Sequence, residues 1–146
     1  MTVELDAQTR RLLDGKNFAT VATIESDGAP HTSVVWMDRD GDTLVFSSTA
    51  DKRKVRNLKA DPRISVTVID STNPYRSVDI RGTAELTEDP DKSLPRRLSR
   101  KYLGQEPPAE PEHMRRLIVR VIPHKVTGFA LPDPAESEGE QTSRAS

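Results

Sequence analysis

The chain has no cysteine. That removes disulfides, thiolate nucleophiles and Cys-ligated zinc or iron–sulfur centres together, and it is what a reducing compartment permits. Charge of one sign is missing too. The formal net charge is -1 at pH 7, so no global field attracts nucleic acid or an acidic membrane surface. Aromatic residues make up 4% of the chain, and none interleaves with the cations of the basic stretch at 51–59, as a single-strand nucleic-acid binder would require. No apolar run approaches a membrane span, and Met1–Asp6 lacks the basic-then-apolar pattern of a leader. There is no Gly-rich phosphate loop of nucleotide-fold type. The carboxylates are scattered, with no paired acid/base site. His31, His113 and His124 have no metal-ligand spacing, and His113 and His124 read as surface or structural residues. The expectation is a cytoplasmic protein with neither a nucleic-acid nor a membrane partner and no metal.

A length of 146 residues suits one domain with one real core. Residues 132–146 offer almost nothing apolar to bury and read as a disordered tail, leaving residues 1–131 as the folded domain. Leu5–Gly15 reads as a short helix, with Asp6 as N-cap, Leu12 and Leu13 on its apolar face and Gly15 as its stop. Phe18–Ile24 is apolar or small on both faces, as a central strand is. Asp27-Gly28 signals a hairpin into a strand beginning at His31, where Val34 and Trp36 point one way and Val35 and Met37 the other. Arg39–Asp42 is another turn, and Thr43–Ser48 a third strand, so these three strands are expected to form a meander. The period then changes. Asp51–Asp61 reads as a helix with Asp51 as its cap, burying Val55 and Leu58 and closed by Pro62. Arg63–Asp70 and Ser77–Leu86 alternate as half-buried strands. Glu88–Leu103 is helical in pattern despite Pro95, with Arg96, Arg97, Arg100 and Lys101 as a solvated face. Residues 105–111 form a Pro-rich loop, and two last strands are expected from Arg116 and from Lys125. The sum is a mainly β, antiparallel barrel with short flanking helices.

The stretch most informative about function is Ser47-Ser48-Thr49-Ala50-Asp51-Lys52-Arg53-Lys54. Hydroxyls end a strand, and cations crowd the first turn of the next helix. Each cation there opposes the helix macrodipole by roughly 0.3–1 kcal/mol when exposed. A bound phosphate would reverse that sign, because it would meet free backbone N–H groups, hydroxyls and cationic side chains together. The plainer alternative is a solvated basic face, since Arg56 and Lys59 continue the run. Trp36 is the single Trp, and packing in a core or dimer interface is its first expected job, ahead of contact with a bound ring. Tyr75 beside Pro74, and His31 beside Pro30, are compatible with plain loop and turn roles.

Taken in order, Ala19–His31, Ser33–Trp36, Ser47-Ser48, Lys52–Leu58, Asp61–Ser65 and Ile80–Leu86 resemble the pyridoxamine-phosphate-oxidase-like split-barrel superfamily. Within it, they are most similar to the deazaflavin-dependent oxidoreductases of actinobacteria. The resemblance implies a split β-barrel of the FMN-binding type. It implies a phosphate grip at Lys52, Arg53 and Lys54, tightest at the Arg53–Lys54 pair. It places the ring-lining strand at Thr32, Ser33, Val34, Val35 and Trp36, and the ribityl-phosphate arm near Ser47 and Ser48. The loop Pro74-Tyr75-Arg76 matches one that reaches the site of a partner subunit, so a homodimer is expected. Flavin-type members often carry Arg at the head of the second strand, where this chain has His31-Thr32-Ser33, and that departure favours coenzyme F420 over FMN. Arg96, Arg97, Arg100 and Lys101 then gain a second possible role, contact with the anionic oligoglutamate tail of F420. Three readings stand together. The first is an F420-dependent oxidoreductase acting on a small organic substrate. The second is an FMN-binding oxidase or reductase. The third is a non-catalytic carrier of the cofactor.

Overall fold

The computed structural model describes residues 3–130. The tail expected at 132–146 lies outside the described residues. Three helices and seven strands follow in the order α1 (Ala7–Asp14), β1 (Phe18–Ile24), β2 (Pro30–Trp36), β3 (Asp38–Asp40), β4 (Thr43–Thr49), α2 (Arg53–Ala60), β5 (Arg63–Ile69), β6 (Arg76–Glu88), α3 (Ser93–Leu103) and β7 (Arg116–Ala130). The strands form one sheet in the order β2-β1-β5-β6-β7-β4-β3, and every pairing is antiparallel. The sheet curls, so that β2 near one edge touches β4 near the other. This is the split barrel expected above. Its interior is filled by Val21, Met37, Leu44, Phe46, Val66, Val68, Ile80, Val119 and Val121, the inward set of each alternating strand. Among the described residues, no helix is long and apolar enough to cross a membrane.

Local chemistry explains most element ends. Asp6 caps α1 by accepting from Thr9 N at 2.8 Å. Gly28, at φ 89, supplies the left-handed residue of the β1–β2 turn. Pro95 lies in the first turn of α3, where a missing N–H costs no helical bond. The structure corrects expectations about the crossover and what holds it, about the last strand and about the cap of α2. The strands up to Thr49 are not a meander, because β4 pairs with β3 and β7 rather than with β2. The chain crosses from one sheet edge to the other at Met37, which is fully buried. Both backbone groups of Met37 are satisfied from α3: its N–H donates to Tyr102 Oη at 3.2 Å, and its carbonyl accepts from Lys101 Nζ at 2.8 Å. Lys101 is therefore no solvated residue. It is a half-buried clamp that also donates to Leu13 O at 2.7 Å, and burial pulls its pKa down.

The second correction concerns the last strand. β7 runs unbroken for 15 residues, where two strands were expected. Pro123 and His124 are absorbed by a bulge opposite Arg81/Gly82. A Cβ on Gly82 would lie 2.0 Å from the Ile122 carbonyl oxygen, so the bulge requires glycine there. The third correction concerns α2. Its N-cap position is held by Lys52, which makes no side-chain capping bond, and not by Asp51.

Candidate functional site: a cleft at the start of α2

Strands β4 and β7 pair from Leu44↔Val121 to Thr49↔Arg116, and alternation divides their side chains between two faces. Leu44, Phe46, Val119 and Val121 turn into the barrel. Val45 and Ile118 turn the other way and meet Leu94 and Leu98 of α3 in a second, smaller cluster, with Trp36 and Tyr102 against it. Beside that cluster the surface opens into a cleft of about 930 Å³. Its apolar wall is Val34, Trp36, Leu98, Pro107, Pro108 and Met114, and Val35, also on the lining, packs its side chain on the barrel core. Trp36 and Phe18, paired across β2 and β1, both stack on Tyr102, with ring centroids 5.1 and 5.9 Å away. The indole is therefore held by packing while still forming part of the wall.

The other end of the cleft is cationic. Lys52, Lys54, Arg115 and Arg116 line it, against Asp51 and Glu110. Two of these cations are already paired: Arg115 with Glu88 and Arg116 with Glu110. Lys54 is half-buried and has no carboxylate or hydrogen-bond partner among the described residues. Burial lowers its pKa, and the neighbouring charges of Lys52 and Arg116 lower it further. No side chain caps the first turn of α2, which leaves helix-start N–H groups beside these lysines. Ser47 Oγ, on the same lining, is buried without a partner among the described residues. A buried hydroxyl left so costs about 1–3 kcal/mol. These deficits share one remedy. An anion carrying acceptor oxygens would accept from the helix N–H groups and the serine, and would return Lys54 toward its ordinary pKa. A flat apolar body joined to that anion would lie along Val34–Trp36. The residues present thus fit a phosphorylated ring cofactor.

The residues singled out from sequence are only partly gathered here. Val34, Val35, Trp36, Ser47, Ser48, Lys52 and Lys54 all line the cleft. Ser48 nonetheless turns its hydroxyl into the protein, donating to Thr49 O at 3.1 Å. Arg53 points away and pairs with Glu25 at 3.2 Å. His31 and Ser33 sit earlier on β2, outside the lining. Their Nδ1 and Oγ are buried without partners among the described residues. Tyr75 is 60% exposed, and Arg76 lines a separate hollow beside α1. On α3, Arg97 donates to Asp38 Oδ2 at 2.9 Å and Arg100 pairs with Glu106, so neither faces the cleft as an uncommitted cation. Sequence reasoning missed the wall formed by residues 107–116, including Glu110, His113, Arg115 and Arg116. The available signal was the Arg115-Arg116 pair directly at the head of a strand, after a Pro-rich stretch whose stiffness suits a wall.

A family model described as pyridoxamine 5'-phosphate oxidase matches residues 5–130. Among solved structures, the chain is similar to an F420 reductase at 35% identity, with 81% of this chain and 94% of that one covered and a TM-score of 0.74. It is similar to a conserved hypothetical protein from Mycobacterium tuberculosis at 25% identity, over 90% and 91% of the two chains, with a TM-score of 0.72. General Stress Protein 26 from Bacillus anthracis shares the fold at 15% identity, over 84% and 91% of the chains, with a TM-score of 0.64.

Proposed function

The chain belongs to the pyridoxamine 5'-phosphate oxidase family, and on that premise we propose that it is an F420-dependent oxidoreductase acting on a small organic substrate. The observation that carries this reading is the half-buried Lys54, without a partner among the described residues, at an uncapped helix start beside the apolar wall of the cleft. The similarity to an F420 reductase favours the deazaflavin over FMN. When bound, the deazaflavin supplies the hydride. The protein does the rest. Lys52, Lys54 and the α2 N–H groups hold the phosphate. Ser47 donates to the arm that joins phosphate to ring. Val34 and Trp36, on one face of β2, exclude water from one side of the ring, while Val35 turns into the barrel core and fixes the strand behind them. Leu98, Pro107, Pro108 and Met114 bound the space in which a substrate is oriented.

The working unit we propose is a homodimer. Phe18, Val34, Ile69 and Tyr75 are exposed at 50%, 66%, 44% and 60%. Phe18, Val34 and Ile69 share one exposed face of β2-β1-β5 with Thr20 and Thr67, and a second copy would cover these apolar side chains. That face is continuous with the cleft through Val34, so a second copy seated on it would close the cleft mouth and bring its own 74–76 loop near.

Turnover separates an enzyme from a carrier. Reduced F420 mixed with the protein and a panel of electron acceptors is expected to regain the absorbance of its oxidised form faster than without protein, for at least one acceptor. Tight binding with no acceptor consumed would leave the carrier reading standing instead.

A further inference from the structure

Lys54 has no counter-charge, but its neighbour Arg116 does. Arg116 Nε donates to both carboxylate oxygens of Glu110, at 3.1 and 3.2 Å, and its Nη2 lies 3.1 Å from Oε1. The two side chains are 25% and 19% exposed, and both line the cleft. Arg116 begins β7 directly opposite Thr49, just before the chain turns into α2. It is near enough to Lys54 to repel its proton. The anion position at the head of α2 is therefore bracketed by Lys52, Lys54 and Arg116, and the chain's own carboxylate has already claimed the last of these. Among the described residues, the side-chain hydrogen bonds and ion pair of Glu110 are all with Arg116.

We propose that Glu110 determines cofactor specificity: by occupying Arg116, it limits the free positive charge at the phosphate position and places a negative charge beside it, which favours a phosphodiester over a terminal phosphate. This rests on the reading that a phosphorylated deazaflavin or flavin occupies the cleft. The chemistry that distinguishes the two is charge. A phosphodiester carries a single negative charge, whereas a terminal phosphate ester carries about 1.5–2 at pH 7. F420 joins its ring to its tail through a diester, and its further carboxylates lie out along the tail. FMN ends in the monoester. The monoester's extra charge would meet the Glu110 carboxylate, and Arg116, the third cation bracketing that position, is committed. Discrimination against the wrong ligand by an unfavourable charge is a common route to specificity.

The test is equilibrium titration of F420, FMN and riboflavin into the full chain, Glu110→Gln and Arg116→Gln, with the melting temperature of each unliganded protein. Glu110→Gln releases Arg116 and removes the repelling charge. It is expected to tighten FMN about tenfold, to shift F420 by less than about threefold and to leave riboflavin, which has no phosphate, unchanged. Arg116→Gln leaves the carboxylate unopposed and is expected to act in the other direction, weakening FMN about threefold more than F420. This second variant carries the test if Glu110→Gln does not fold. An unchanged FMN affinity in folded Glu110→Gln, or an equal gain for riboflavin, overturns the inference. So does equal weakening of both cofactors in Arg116→Gln. In each of these cases F420 binding to the wild-type chain survives, and the proposed function with it. If the wild-type chain binds neither cofactor, both ideas fall.

Discussion

At the scale of single residues, the three consecutive cations do different things. Lys52, Arg53 and Lys54 were legible from sequence as a set, because their position opposes the helix dipole. Their division was not legible, since it depends on Glu25, which folding brings to Arg53 from the end of β1. Lys54 is left in the cleft with burial and two like charges against it. Replacing Lys54 with Ala is therefore expected to weaken cofactor binding by about ten- to a hundredfold, the worth of one charged hydrogen-bond partner. Arg53→Ala should change it by less than about threefold, as expected for loss of an exposed ion pair. Fluorescence titration of both variants reads the difference: equal losses would contradict this division between Lys54 and Arg53, and unchanged affinity in both would return the cluster to a solvated basic face. The same lysine gives binding a pH dependence with a definite sign. Its pKa is depressed in the free protein and rises when an anion binds, so binding takes up a proton. Affinity is full below the depressed value and falls as pH climbs toward the ordinary 10.5. In Lys54→Ala that part of the fall should disappear.

At the scale of elements, the strands and helices were largely readable, and what joins them was not. Phe18–Ile24 announced itself as a strand by apolar character on both faces, and Arg63–Ile69 by strict alternation. The crossover at Met37 gave no local signal, because what stabilises it is a tyrosine and a lysine from α3, late in the chain. Likewise, Pro123 suggested a break in the last strand. The bulge that absorbs it is built by Gly82 on the neighbouring strand, and nothing around Pro123 points to a partner so distant in sequence. Gly82→Ala would force its new methyl into the Ile122 carbonyl. It is expected to destabilise the protein by about 1–3 kcal/mol, a cost typical of overpacking, read as a lower denaturation midpoint at unchanged slope. Wild-type stability in that variant would show that the bulge relaxes freely. The cap of α3 teaches the same lesson. Asp89 accepts from Ser93 N at 3.0 Å and from Leu94 N at 2.9 Å while itself buried. A carboxylate four residues before the helix, beyond an intervening left-handed Lys92, does not match the usual N-cap spacing.

At the scale of the whole molecule, the split-barrel architecture follows from a sheet whose two ends curl into contact, and the cleft exists because α3 covers only part of one face. Sequence resemblance supplied that architecture. Composition and periodicity gave a mainly antiparallel barrel but not the strand order, which is fixed by the long pairing of β6 with β7. The exposed apolar face of β2-β1-β5 makes assembly testable without touching the cleft. The wild-type chain is expected to sediment as a dimer at micromolar concentration, and Ile69→Lys, outside the cleft lining, to shift it toward monomer. A wild-type monomer that still binds cofactor would contradict the dimer. The central claim, that the cleft is built for F420, is tested most directly by titrating F420 and FMN side by side into the wild-type protein under one set of conditions. The account predicts that F420 binds more tightly. FMN binding at least as tightly as F420 would contradict it.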